Sequence, residues 1–127
     1  MTSYRPTRGR QVLVVDDDVN ARNALCTLLE EEGYEVRTAV DGVAAFAKLA
    51  TFRADYVIAD VRMPRMDGRA LIDALRELPG PQPRVIFMSA APAPDGEATP
   101  FLAKPVAFDE LLALLRAPEA HEVAHAR

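Results

Sequence analysis

VIADVRMPRMDG, Val57 to Gly68, reads as the end of a buried strand, a loop and the start of a helix. A short apolar run closes in Asp60, and Pro64, four residues on, blocks continuation of a strand or entry into a helix. Asp67-Gly68 then opens an amphipathic run. A carboxylate at the C-terminal end of a buried strand is where an open α/β sheet presents its ligand-facing chemistry. The rest of the chain can therefore be judged by what it brings to Asp60.

Upstream, QVLVV from Gln11 to Val15 is a near-continuous apolar run of the kind a strand needs when both its faces are covered. It ends in Asp16-Asp17-Asp18. From Val19 to Glu32 the apolar positions Ala21, Ala24, Leu25, Leu28 and Leu29 keep helical spacing, and Gly33 supplies the stop. Tyr34 to Ala39 alternates as a strand, and Asp41-Gly42 starts a second helix carrying Val43, Phe46, Leu49 and Ala50. Asp55 to Asp60 is the third strand. Gly68 to Leu78 is the third helix, with Leu71, Ile72, Leu75 and Leu78 inward. Arg84 to Ser89 is a fourth strand, Pro100 to Lys104 a short fifth, and Phe108 to Arg116 a closing helix using Phe108, Leu111, Leu112 and Leu115. Such alternation implies a parallel sheet, right-handed crossovers and helices on both faces, an α/β fold.

With 127 residues, half of them hydrophobic, the chain is expected to form one globular domain over residues 11–116, with an N-terminal arm at 1–10 and a disordered tail at 117–127. No apolar run nears the ~18 residues of a membrane span and the first residues are not a secretory signal, so a soluble cytoplasmic protein without membrane insertion is expected. The formal net charge of −4 argues against direct nucleic-acid binding, despite Arg5, Arg8 and Arg10 near the start. Cys26 has no partner cysteine and falls on a helix face, so it should be buried and inert. His121 and His125 stand four apart on the tail, where solvation suffices to explain them.

All strand C-termini of a parallel sheet share one edge. Asp16 and Asp17 after the first strand, Asp60 after the third, Ser89 after the fourth and Lys104 after the fifth all fall on it. Carboxylates brought together need a cation to remain ionised. Oxygen-only ligands select a hard ion, and Mg2+ is the natural one beside phosphate. Asp18 reads instead as a helix N-cap. Lys104 is one of only two lysines, the other being Lys48, in a chain that otherwise uses arginine. A lysine kept at a strand's end suggests a site that wants a compact point charge. Ser89, one of two serines, can donate its hydroxyl to an oxyanion there.

As a set these residues resemble the receiver domain of two-component response regulators. VLVVDDD, VIADVRMPRMDG, VIFMSA and FLAKP match its four signatures in order, over about Gln11 to Arg116. The resemblance implies a flavodoxin-like fold with strand order 2-1-3-4-5. It implies Asp60 as phosphoacceptor, and Asp17, the Asp60 carboxylate and the main-chain carbonyl of Arg62 as direct Mg2+ ligands, with Asp16 acting through water. Lys104 would pair with one phosphoryl oxygen and Ser89 hydrogen-bond another, while small Ala90 leaves the path open. Phe101 stands at the switch aromatic, and the Lys104-Pro105 bond is expected to be cis. The implied donor is a histidine kinase or a histidine phosphotransfer protein.

Two other functions compete. A receiver-like adaptor that is never phosphorylated would need no complete set of acids, Ser89 and Lys104. A haloacid-dehalogenase-like phosphatase would use Asp16 as nucleophile and Asp18 as acid/base, but Asn20 stands where it usually has Thr or Val, and its later acid pair is absent. The chain departs from the receiver pattern between Ser89 and Lys104. APAPDGEATP holds Pro92, Pro94, Pro100 and Gly96, and an interior proline costs a helix ~3 kcal/mol and a glycine about 1. The helix between the fourth and fifth strands is expected to be reduced or absent, baring a surface near Phe101 for an output partner or self-association.

Overall fold

Val12 to Val15 and Val57 to Ala59 are fully buried, so the two most apolar runs must occupy the middle of a sheet covered on both sides. The computed structural model describes residues 11–60, 68–89 and 101–116. Over these it alternates β1 (Gln11–Val15), α1 (Val19–Glu31), β2 (Glu35–Ala39), α2 (Gly42–Leu49), β3 (Tyr56–Asp60), α3 (Gly68–Leu75), β4 (Arg84–Ser89), β5 (Phe101–Ala103) and α4 (Phe108–Arg116). The five strands are all parallel in the order β2-β1-β3-β4-β5, the flavodoxin-like order. The expected short or absent helix between β4 and β5 falls on residues 90–100, outside those described. The 1–10 arm and the 117–127 tail, with His121 and His125, lie outside them too.

The two-residue period of the strands sorts their side chains into two cores. Val12, Val14, Tyr56, Ile58, Ile86 and Met88 face Leu25 and Leu29 of α1 and Leu111 and Leu115 of α4. Leu13, Val15, Val57, Ala59 and Phe87 face Ala45 of α2 and Leu71 and Leu75 of α3. Edge strand β2 buries Val36 and Ala39 and exposes Glu35 and Arg37, charges that deter pairing with another chain.

Local chemistry sets the helix ends. The Asp18 carboxylate accepts from the Asn20 N–H at 3.0 Å and caps α1. Gly33, at φ +98°, turns the chain out of it. Asp41, itself buried, accepts from the Ala44 N–H at 2.8 Å and caps α2. Helix α3 stops at Leu75, three residues before its apolar pattern ends, where the Gln82 side-chain amide donates to the Leu75 carbonyl at 2.9 Å and Gly80 reverses the chain at φ +89°. Helix α2 follows its apolar pattern only in part. Its buried positions are Gly42 and Ala45, while Val43 is 44% exposed. Leu49, partly buried, packs against the same core as Ala45. Cys26 is half-buried rather than fully buried, and burial, with Glu30 beside it, raises its thiol pKa. The thiol form that results is the unreactive one.

The sheet's N-terminal edge is fastened by Asp55 and Tyr56. Asp55 donates its N–H to Gln11 O at 2.7 Å, takes the Gln11 N–H on its carboxylate at 2.9 Å and accepts from the Arg84 N–H at 2.9 Å, joining the starts of β1, β3 and β4. The buried Tyr56 hydroxyl donates to Leu115 O at 3.0 Å and ties α4 to the sheet. Tyr56→Phe should cost about 1 kcal/mol, read as a lower urea midpoint with an unchanged slope. A midpoint equal to wild type would mean that the bond contributes nothing net. The opposite edge is left to carry chemistry. Among the described residues no helix is long and apolar enough to cross a membrane.

Candidate functional site

Register brings four chain segments to one edge. Val15 stands opposite Ala59, Asp60 opposite Met88, and Ser89 opposite Ala103, so Asp16, Asp60, Ser89 and Lys104 leave adjacent strand ends at nearly one level. The Lys104 N–H donates to Ser89 O at 2.8 Å, and the Lys104–Pro105 peptide is cis. β4 lies between β5 and β3, which puts about 10 Å between the outer two at the usual strand spacing. A long side chain is needed to cross that gap. Lys104 spans it, its Nζ lying 2.7 Å from Asp60 Oδ2 and 3.2 Å from Asp16 Oδ2.

Asp16 is 1% exposed and engaged at all four of its polar groups. Its N–H donates to Ala39 O at 3.1 Å, its carbonyl accepts from Arg22 Nη1 at 2.9 Å, and its Oδ1 accepts from the Asp18 N–H at 3.0 Å. Lys104 holds the other oxygen. Asp17, exposed, and Asp60, half-buried, complete the group: one carboxylate oxygen from each of Asp16, Asp17 and Asp60 lies within 4.8 Å of the others. Ser89 is buried beside them, one residue past the partner of Asp60.

Burial alone would lower the Lys104 pKa, but the hydrogen bond to Asp60 and the charge of Asp16 outweigh it and hold the ammonium above the ordinary lysine value. The ammonium is therefore charged throughout the neutral range. Its contribution to stability is complete below the unfolded lysine pKa and is lost only as pH rises through the raised folded value.

The donor set fits a hard divalent cation. It is all oxygen, and three carboxylates converge there beside the Lys104 ammonium. Asp16, Asp17 and Asp60 are the described residues able to hold Mg2+. Arg62, the expected carbonyl ligand, and Ala90 lie outside the described residues. Phe101 opens β5 opposite Phe87; its side chain is not among those described. The phosphatase roles fit poorly, since the Asp16 nucleophile it requires is buried under four hydrogen-bonding partners and its acid/base, Asp18, is spent on the α1 cap.

Arg22 was not legible as a site residue. It is the only basic residue of α1, one turn past the cap, and that isolation is the sequence signal that could have marked it.

A family model of the response regulator receiver domain matches residues 12–116. The response regulator MprA of Mycobacterium sp. strain KMS is 38% identical over 113 residues, covering 84% of this chain and 49% of that protein. MprA of Mycobacterium avium strain 104 is 37% identical, covering 84% and 50%. The chain thus spans about half the length of the curated relatives it matches. Among solved structures, the receiver domain of Francisella response regulator 1452 is similar with a TM-score of 0.74 at 31% identity, covering 84% of this chain and 93% of that one. The chemotaxis response regulator CheY4 of Vibrio cholerae is similar with a TM-score of 0.73 at 32% identity, covering 84% and 96%.

Proposed function

Because the chain belongs to the response regulator receiver domain family, we propose that Asp60 is its phosphoacceptor, charged by a histidine kinase or a histidine phosphotransfer protein in the cytoplasm. The observation that carries the reading is the contact of Lys104 with both Asp60 and Asp16, with Asp17 in reach of the same point. This juxtaposes a nucleophile, a fixed positive charge and a set of oxygen ligands.

The Asp60 carboxylate attacks phosphorus in line, the bond from phosphorus to the donor nitrogen breaks, and its electron pair returns to the imidazole. Positioning and neutralisation of the phosphoryl oxygens supply most of the catalysis in such a transfer. The Lys104 ammonium, already on Asp60 Oδ2, needs only a small swing to meet a phosphoryl oxygen there. The Ser89 hydroxyl donates to a second, and its movement, passed to Phe101, changes the surface offered to an output partner or a second copy. Asp17, the Asp60 carboxylate and the Arg62 carbonyl would hold Mg2+ directly, with Asp16 acting through water, and the bound ion would supply further positive charge toward the phosphoryl oxygens. Asp16, buried and fully hydrogen-bonded, keeps the others in place.

The test is incubation with a small phosphodonor such as acetyl phosphate, followed by intact mass measurement. One phosphoryl group should add in the presence of Mg2+ and none after chelation. Uptake that survives chelation would remove the cation from the mechanism, and no uptake under any condition would favour the unphosphorylated adaptor.

A further inference from the structure

We propose that Arg22 is a positioning residue for the cation site: by donating from Nη1 to the Asp16 carbonyl at 2.9 Å, it orients the peptide that carries Asp17. This inference rests on the function proposed above and concerns how the same site is built. Among the described residues no hydrogen bond or ion pair holds the Asp17 side chain. A carboxylate free to take a ligand depends on its backbone for direction. The Asp16 carbonyl and the Asp17 N–H belong to one rigid trans peptide plane. Fixing that carbonyl therefore fixes where Asp17 leaves the strand end.

The other three bonds of Asp16 act differently. Its N–H to Ala39 belongs to the preceding peptide, the Lys104 bond constrains its own side chain, and the Asp18 N–H on Oδ1 closes a local turn across Asp17. Among the described residues the Arg22 contact is the one that holds the Asp16–Asp17 plane from outside that turn. Arg22 is well placed for it, half-buried in the second turn of α1, a helix whose start is fixed by the Asp18 cap.

Charge and geometry make opposite forecasts, which lets them be separated. Were Arg22 only a nearby positive charge, it would repel Mg2+, and its removal would tighten binding. If it orients Asp17, its removal weakens binding, and outer-shell partners of metal ligands commonly cost 10- to 100-fold in affinity.

The experiment is calorimetric titration of Mg2+ into the wild-type chain, Arg22→Met and Arg22→Lys, each checked for folding by circular dichroism. Arg22→Met should bind Mg2+ about tenfold more weakly. Arg22→Lys, which keeps a donor and the charge, should recover most of the loss. With acetyl phosphate, the Mg2+ concentration for half-maximal phosphorylation of Arg22→Met should rise more than its maximal rate falls. Wild-type or tighter affinity in Arg22→Met would overturn the proposal. So would failure of that variant to fold, or a fall in maximal rate with an unchanged Mg2+ requirement, since either makes Arg22 a general structural residue. A wild-type chain that binds no Mg2+ would instead overturn the function on which the proposal rests.

Discussion

Asp60→Asn should take up no phosphoryl group from a small phosphodonor while remaining folded. The carboxamide oxygen is a neutral and poor nucleophile, so the substitution removes the reaction without altering side-chain size. The fold should tolerate it because the site is overloaded with negative charge. Asp16, Asp17 and Asp60 bring oxygens within 4.8 Å of one another against the single ammonium of Lys104. Removing one of three like charges relieves repulsion, and Lys104 keeps its contact with Asp16. Intact mass after incubation, alongside a thermal melt, checks both halves. Labelling of Asp60→Asn at the wild-type rate would move the nucleophile to another acid of the cluster.

Lys104→Met should slow phosphoryl uptake at saturating Mg2+ by on the order of 10²-fold, the scale of losing one preorganised charge stabiliser. The ammonium reaches Asp60 across the whole width of β4 and lies 2.7 Å from its Oδ2. Lys104→Arg should not restore the rate, although it keeps the charge. The position holds one nitrogen between two oxygens at 2.7 and 3.2 Å, and a planar fork that is longer and wider cannot sit at that point. Initial rates with acetyl phosphate decide it: an arginine variant as fast as wild type would show that charge alone matters at this position.

Much of this was legible in the residues. QVLVV and YVIAD announce central strands because short apolar runs rich in β-branched residues suit a strand covered on both faces. The acids, Ser89 and Lys104 could be assigned to one edge because parallel strands all end on the same side. Helix faces were less legible. Apolar spacing marks Val43, Phe46, Leu49 and Ala50 on α2; Leu49 does pack against the core, but Val43 is 44% exposed and the buried positions are Gly42 and Ala45, small residues that hydrophobicity does not single out. The end of α3 is likewise illegible in its apolar spacing, because the Gln82 side chain that caps it at Leu75 comes from the following loop. Arg22 is marked in sequence by nothing but its isolation on α1, because its partner is a backbone carbonyl, and a carbonyl leaves no mark there.

The central claim, that phosphate is carried on the Asp60 carboxylate, is tested most directly by trapping. The wild-type chain is phosphorylated with acetyl phosphate and Mg2+, reduced with borohydride, which converts an aspartyl phosphate to homoserine, and mapped by tandem mass spectrometry. Homoserine at position 60 alone, absent after Mg2+ chelation, is the expected result; homoserine at position 16 or 17 with residue 60 unmodified would contradict it.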